Sequence, residues 1–144
     1  MTDIILCAFN CGGSFNCSEE AEKFSQPPKL VYIPGNGSNA FKQYAINNHK
    51  NDSVLDNILK DVGRVALITF SAGWGFTTEV LKSKKDRERI DTIILLDGLH
   101  QTTLDDWKAF VLLAGRGGKN APKLWMLIHR LFHHLLVLKL QIKN

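Results

Sequence analysis

The segment Arg64-Val-Ala-Leu-Ile-Thr-Phe-Ser-Ala-Gly-Trp-Gly-Phe-Thr-Thr-Glu-Val-Leu81 joins an apolar, β-prone run to a helix-compatible run at a single serine. The β-prone run ends at Phe70, and Ser71 is followed by the small residues Ala72 and Gly73. A buried strand that turns directly into a helix lifts the intervening side chain clear of the sheet, above the free N–H groups of the first helical turn. The segment therefore predicts that the Ser71 hydroxyl stands clear at the end of a strand.

The composition is that of an ordinary folded domain. The chain has 144 residues, of which 44% are hydrophobic and 22% charged, enough apolar side chains for one core. The formal net charge of +4 is small. Because no stripe of Lys and Arg alternates with aromatic residues, nucleic acid is not the expected partner.

The cysteines indicate a reducing compartment. Cys7, Cys11 and Cys17 are odd in number and their spacing matches no zinc pattern, so we expect free thiols and no metal. The first residues lack the positive charge and the small-residue cleavage site of a secretory signal, which predicts a cytoplasmic protein. Without secretion, the glycosylation sequons at Asn36 and Asn51 have no expected role.

Short apolar runs alternate with helix-compatible segments as far as residue 129. The predicted strands are Ile4–Phe9, Lys29–Ile33, Val65–Phe70, Thr92–Leu96 and Leu124–Ile128. The predicted helices lie at about 18–26, 39–47, 53–62, 75–84 and 103–114. Apolar strands separated by helices predict an α/β fold, a mostly parallel sheet with helices on both faces, formed by a single domain over residues 1–129.

Polar residues follow four of the predicted strands. Gly35–Ser38, Ser71, Asp97 and His129 each come just after an apolar run. Right-handed crossovers bring the carboxyl ends of parallel strands to one edge of the sheet, where α/β proteins bind ligands. A serine becomes nucleophilic when a base takes its proton and an acid orients that base, and Ser71, Asp97 and a histidine (His129 or His100) occur in that order.

Three of these strand ends resemble successive strand ends of the α/β-hydrolase superfamily of serine hydrolases. They read Tyr32-Ile-Pro-Gly-Asn-Gly-Ser38, Ile68-Thr-Phe-Ser-Ala-Gly-Trp-Gly75 and Leu95-Leu-Asp-Gly-Leu-His100. The resemblance extends from Lys29 to His129. The family's nucleophile elbow has the pattern Gly-x-Ser-x-Gly, and here Thr69 stands in place of the first glycine, while Ser71 and Gly73 match.

The resemblance implies a function and a set of roles. Ser71 would be the nucleophile, the Ala72 N–H one oxyanion donor, and the turn containing Gly35 and Asn36 the source of the other donor. The expected substrate is a small ester, thioester or amide cleaved through an acyl-enzyme, with no cofactor. The order Ser71, Asp97, histidine is also that of the family.

The acid and the base each have alternatives. Asp97 is either the orienting acid or an exposed turn aspartate before Gly98. His129 is favoured over His100 as the base because it follows a strand, whereas His100 lies close in sequence to Asp97. A base elsewhere in the chain also fits the sequence.

The same segment supports a rival interpretation as a dinucleotide-binding turn. Gly73 and Gly75 lie between a strand and a helix, and Asp97 lies where an acid could bind a ribose hydroxyl. Against it, Thr78 occupies the third glycine position and bulky Trp74 separates the first two.

Residues 130–144 depart from the preceding pattern. Leucines at heptad-like spacing, interrupted by histidines and lysines, predict a basic amphipathic helix that packs on a partner or weakly on a membrane surface. A second hypothesis is that this tail is out of frame, since a one-base insertion after His129 with suitable codons yields a polar loop. The chain is also short beside the hydrolases it resembles, which adds a truncated or inactive hydrolase fragment to the alternatives.

Overall fold

The computed structural model describes residues 4–9, 22–23, 25–60, 63–96, 123–129 and 135–140. Its strands are β1 (Ile4–Phe9), β2 (Lys29–Tyr32), β3 (Val65–Phe70), β4 (Ile90–Leu96), β5 (Lys123–His129) and β6 (Leu135–Leu140). Its helices are α1 (Ser38–Asn48), α2 (Leu55–Ile58), α3 (Trp74–Lys82) and α4 (Lys84–Arg89), with a 3-10 turn at Ser71–Gly73.

The described strands form a six-stranded sheet in the order β2-β1-β3-β4-β5-β6. Every neighbouring pair from β2 to β5 is parallel, and β6 pairs with β5 antiparallel. Parallel strands need crossover connections, and helices follow β2 and β3 along the chain. The α/β fold with a mostly parallel sheet is therefore confirmed.

One face of the sheet carries the buried core. Leu6 pairs in register with Leu67, and Leu67 with Ile93, so these three side chains share a face, and each is at most 1% exposed. Phe41 of α1 and Phe76 of α3, both fully buried, belong to the same cluster. The described helices α1 and α3 therefore cover this face.

The opposite face is only half-buried at Ile68 of β3 and Ile94 of β4. The sequence predicts helices on both faces without assigning each helix to a face. The predicted helix at 103–114 lies outside the described residues, and the segment predicted at about 18–26 has only residues 22–23 and 25–26 described, which form turns and bends instead of a helix. Helices on the second face therefore stay a prediction.

The tail differs from its prediction. Leu135–Leu140 forms strand β6, with Val137 opposite Leu127 of β5, so the predicted helix is wrong over these residues. Short apolar runs fit a strand or a helix equally well by periodicity, and pairing with the edge of β5 satisfies the backbone of a strand. The division into residues 1–129 and 130–144 stays a prediction.

Two predicted helices are shorter or divided in the structure. In the segment predicted as one helix over 53–62, of which residues 53–60 are described, the structure has the four-residue helix α2. The segment predicted over 75–84 ends at Lys82, where Ser83 adopts an extended conformation and caps α4 by accepting a hydrogen bond from Asp86 N at 3.1 Å.

The basic cluster around α4 is neutralised within the fold. Lys82 Nζ lies 2.6 Å from Glu79 Oε1, and both Lys85 and Arg89 pair with Asp56. The hydrogen bond from Lys85 lowers the pKa of Asp56 below its ordinary value, against the opposing effect of partial burial. The stabilisation that the ion pairs of Asp56 give the fold is therefore present above the ordinary carboxyl pKa. It is lost as the pH falls through the lowered pKa of Asp56 in the folded protein.

None of the helices in the described part of the chain is both long and apolar enough to cross a membrane.

Candidate active site at the carboxyl edge of the sheet

Ser71 has an unusual backbone conformation. Phe70 before it is extended, with φ −120° and ψ 132°, and Trp74 after the 3-10 turn is helical, with φ −51° and ψ −37°. Between them Ser71 has φ 45°, in the left-handed region that side chains with a Cβ disfavour by about 1–2 kcal/mol. A non-glycine residue held in this region at a strand-to-helix turn is a candidate functional residue.

The residues around Ser71 hold the turn in place. Ser71 itself is partly exposed, whereas Ala72 is 8% and Trp74 3% exposed and both belong to the core. Trp74 is thus a packing residue, and its burial anchors the start of α3. The Ser71 side chain stands at the rim of the core instead of within it.

Thr69, which replaces the first glycine of the elbow pattern, is accommodated by the fold. It is 1% exposed and lies two residues beyond Leu67 in β3, hence on the face covered by α3. Within the described part of the chain its hydroxyl finds no hydrogen-bond partner, as is also true of the Thr77 hydroxyl in α3. The buried Thr69 side chain thus occupies the strand–helix interface that the family pattern leaves to a glycine.

Ala72, the predicted oxyanion donor, lies where the chain passes from β3 into a helix. It is the second residue of the 3-10 turn that continues into α3. The first N–H groups of a helix have no partners within the helix, so such groups are suited to stabilising a negative oxygen.

The turn after β2 packs tightly onto α1. A Cβ placed at Gly35 would lie 2.7 Å from Phe41 Cδ1, so only glycine fits there without displacing the ring. Helix α1 contacts both α3 and the 3-10 turn at Ser71–Gly73. Asn36 is exposed. The Gly35 turn is therefore linked to the elbow through α1.

The strand order separates the Gly35 turn from Ser71, which it was expected to neighbour. β1 lies between β2 and β3, so the Gly35 turn leaves the sheet two strands from Ser71, about 10 Å at the usual strand spacing. Phe9 at the end of β1 is the register partner of Phe70. The segment that begins at Asn10 thus follows the strand adjacent to the elbow, and it lies outside the described residues. This neighbour of Ser71 could not be predicted, because sequence alone does not give strand order.

The acid and base candidates are only partly described. Leu96, the last residue of β4, pairs in register with Phe70 and with Leu127 of β5, so these three strands end at one edge. His129 is the last residue of β5, at this same edge. Asp97 and His100 lie outside the described residues, and their roles stay predictions.

The glycines of the dinucleotide interpretation are buried and helical. Gly73 has φ −59° and ψ −17°, and Gly75 lies within α3. A pyrophosphate must approach the glycine backbone closely, and a buried backbone does not allow it. Among the described residues, no group of three or more His, Cys, Asp or Glu side chains is placed to hold a metal ion.

We compared the chain with protein-family models, with curated proteins and with solved structures, and none of them matches it.

Proposed function

We propose that the chain is a serine hydrolase that cleaves a small ester, thioester or amide through an acyl-enzyme on Ser71. The observation that carries the proposal is the φ of 45° at a partly exposed serine between a buried parallel strand and a helix. This conformation costs free energy, and the fold around it keeps Ala72 and Trp74 buried to maintain it.

The proposed reaction gives each of these groups a role. Ser71 Oγ attacks the carbonyl carbon of the substrate while a histidine takes its proton, and the carbonyl oxygen becomes negative. The Ala72 N–H donates to that oxygen at the start of the helix. His129 or His100 serves as the base, with Asp97 orienting it. When the carbonyl double bond re-forms, the bond to the alcohol, thiol or amine leaving group breaks and the protonated histidine gives that group its proton, which leaves the acyl-enzyme. Water then attacks the acyl-enzyme with the same histidine as base, and Ser71 Oγ regains its proton as the carboxylic acid is released.

A second oxyanion donor comes from one of two segments. The Gly35–Asn36 turn is linked to the elbow through α1, and the segment beginning at Asn10 follows the strand beside it. The dinucleotide alternative is less well supported, because Gly73 and Gly75 are both buried.

The test is covalent labelling with a fluorophosphonate, which reacts only with an activated serine. We expect the wild-type protein to be labelled on the tryptic peptide that carries Ser71, and Ser71→Ala to lose the label. Ser25→Ala is the matched control, because Ser25 is an exposed serine in a loop and its loss should leave labelling unchanged. Equal labelling of wild type and Ser71→Ala would remove the proposal.

Two further variants identify which histidine acts as the base. Loss of labelling in His129→Ala, with labelling kept in His100→Ala, assigns the base to His129, and the reverse result assigns it to His100. An unlabelled wild-type chain that unfolds cooperatively also removes the proposal, and it leaves the inactive hydrolase-like fragment as an alternative.

A further inference from the structure

Asn36 and Gly37 form an Asn–Gly pair between β2 and α1, in which Gly37 is partly exposed. Asn36 is exposed, and a Cβ placed at Gly37 would meet no atom within 4 Å. The Gly37 carbonyl accepts a hydrogen bond from Phe41 N at 3.1 Å, which holds Gly37 to the start of α1. Because Gly37 has no side chain, no substituent on its Cα hinders the approach of the Asn36 side chain to the Gly37 peptide nitrogen.

We infer that Asn36 is a site of spontaneous deamidation, a covalent modification that needs water as its only reactant. The Gly37 backbone nitrogen attacks Asn36 Cγ, a new C–N bond closes a five-membered imide, and the side-chain amide leaves as ammonia. Water then opens the imide at either carbonyl, which gives aspartate or isoaspartate at position 36. No electron transfer occurs, and the chain exchanges ammonia for water.

A nearby asparagine provides an internal comparison. Asn39 is also exposed, but it lies in α1 and is followed by Ala40. A helical backbone fixes the following nitrogen away from the side-chain carbonyl, and the Ala40 methyl adds steric hindrance. Trypsin cleaves after Lys29 and Lys42, so Asn36 and Asn39 are reported by one peptide.

The product changes the electrostatics of α1. This helix begins at Ser38 after Gly37, with no side-chain hydrogen bond at its N-cap and no acidic residue in its first turn. A carboxylate at position 36 lies just before that helix start, where the helix dipole favours negative charge. The aspartate product therefore supplies a charge that α1 lacks, whereas isoaspartate lengthens the backbone between β2 and α1 by one carbon.

The experiment follows the intact protein at mildly alkaline pH and physiological temperature. Tandem mass spectrometry of the tryptic peptide locates the mass gain, and isoaspartyl methyltransferase labelling reports the iso product. We expect deamidation at Asn36 to be several-fold faster than at Asn39, and Asn36→Gln to abolish methyltransferase labelling of this peptide. The same measurement on urea-unfolded chain separates the effect of the fold from that of the sequence.

The outcomes are decisive and independent of the proposed hydrolase activity. A folded-state rate at Asn36 comparable to the unfolded-state rate supports the inference, because the exposed turn then offers no protection. A folded protein unmodified at Asn36, under conditions in which the unfolded chain reacts, overturns it. So does equal modification of Asn36 and Asn39.

Discussion

At the scale of single residues, Ser71 has an energetically unfavourable backbone conformation, and it lies at the turn between β3 and α3. Its φ of 45° is one that glycine adopts without penalty, and yet the residue is a serine. Two other described non-glycine residues have positive φ, Asn51 and Asp52, in a tight turn closed by paired hydrogen bonds between Lys50 and Ser53. Asn and Asp tolerate this conformation, so Ser71 is the residue whose side chain needs another explanation.

The cost at Ser71 predicts a difference between two substitutions. Ser71→Ala keeps a Cβ in the left-handed region, whereas Ser71→Gly removes it. We expect the free energy of unfolding of Ser71→Gly to exceed that of Ser71→Ala by about 1 kcal/mol, because relief of the backbone cost outweighs the extra flexibility of glycine in the unfolded chain. Urea denaturation followed by tryptophan fluorescence measures both.

Both variants should also lose fluorophosphonate labelling, so stability and activity move in opposite directions in Ser71→Gly. If Ser71→Ala proved as stable as Ser71→Gly, the left-handed conformation would not be the cost described above.

The position of Ser71, between a strand and a helix, could be predicted from the sequence for a physical reason. An apolar run that ends at a serine followed by Ala72 and Gly73 leaves few ways for the chain to turn into a helix, so the strand, the turn and α3 follow from local composition. The tight contact of Gly35 with Phe41 could not be predicted, because it depends on how α1 folds back over the turn. The burial of the Thr69 hydroxyl, without a hydrogen-bond partner among the described residues, likewise depends on tertiary packing.

At the scale of elements, α2 and α4 are joined by a buried carboxylate. Asp86 of α4 is fully buried, and its oxygens accept hydrogen bonds from Ser53 Oγ at 2.5 Å, Val54 N at 2.8 Å and Leu55 N at 3.3 Å. Val54 is the N-cap of α2 and provides no side-chain cap. Asp86 therefore caps α2 from a distant part of the chain and ties it to α4.

Loss of the Asp86 charge should destabilise the whole fold. Asp86→Asn keeps the size of the side chain but replaces one accepting oxygen by a donor that faces other donors. We expect the free energy of unfolding to fall by about 2–4 kcal/mol, the range for breaking a buried charged hydrogen-bond network. Thermal and urea unfolding measure the change.

Asp52→Asn is the matched control, because the same chemical change is made where the side chain is 73% exposed, and it should cost less than about 0.5 kcal/mol. Similar losses in the two variants would contradict the capping role of Asp86.

The ends of the helices could not be predicted from the spacing of apolar residues. The apolar spacing from Val54 to Val62 fits a long helix, but the structure ends α2 at Ile58. Ser83 divides the next predicted helix because its hydroxyl donates to Asp52 O and accepts from Asp86 N, both within the capping network. Such long-range caps have no signature in local spacing, so the existence of α1, α2 and α3 could be predicted, whereas their ends and the short helix α4 could not.

At the scale of the whole molecule, the α/β class follows from strands that are apolar along their length, but the strand order does not. The order β2-β1-β3 places the end of β1 beside the elbow and moves the Gly35 turn one strand further away. Candidate catalytic groups could be assigned to the carboxyl edge from topology rules alone. Which of them are neighbours depends on strand order, and strand order is set by contacts between distant segments.

The antiparallel strand β6 closes the described sheet on the side of β5, and this gives a last prediction. In a chain that ends at His129, β5 becomes the edge, with the run Lys123-Leu-Trp-Met-Leu-Ile-His129 no longer paired on one side. Unpaired N–H and C=O groups on a long apolar edge strand favour pairing with a second chain. We therefore expect the shortened protein to self-associate and to unfold at a lower temperature than the full chain, as measured by sedimentation velocity and thermal unfolding.

Lys139→Gln, which keeps the backbone of β6, is the control and should behave as the full chain does. A shortened protein that stayed monomeric and equally stable would show that β6 contributes nothing to the sheet, and residues 130–144 would then be a dispensable tail.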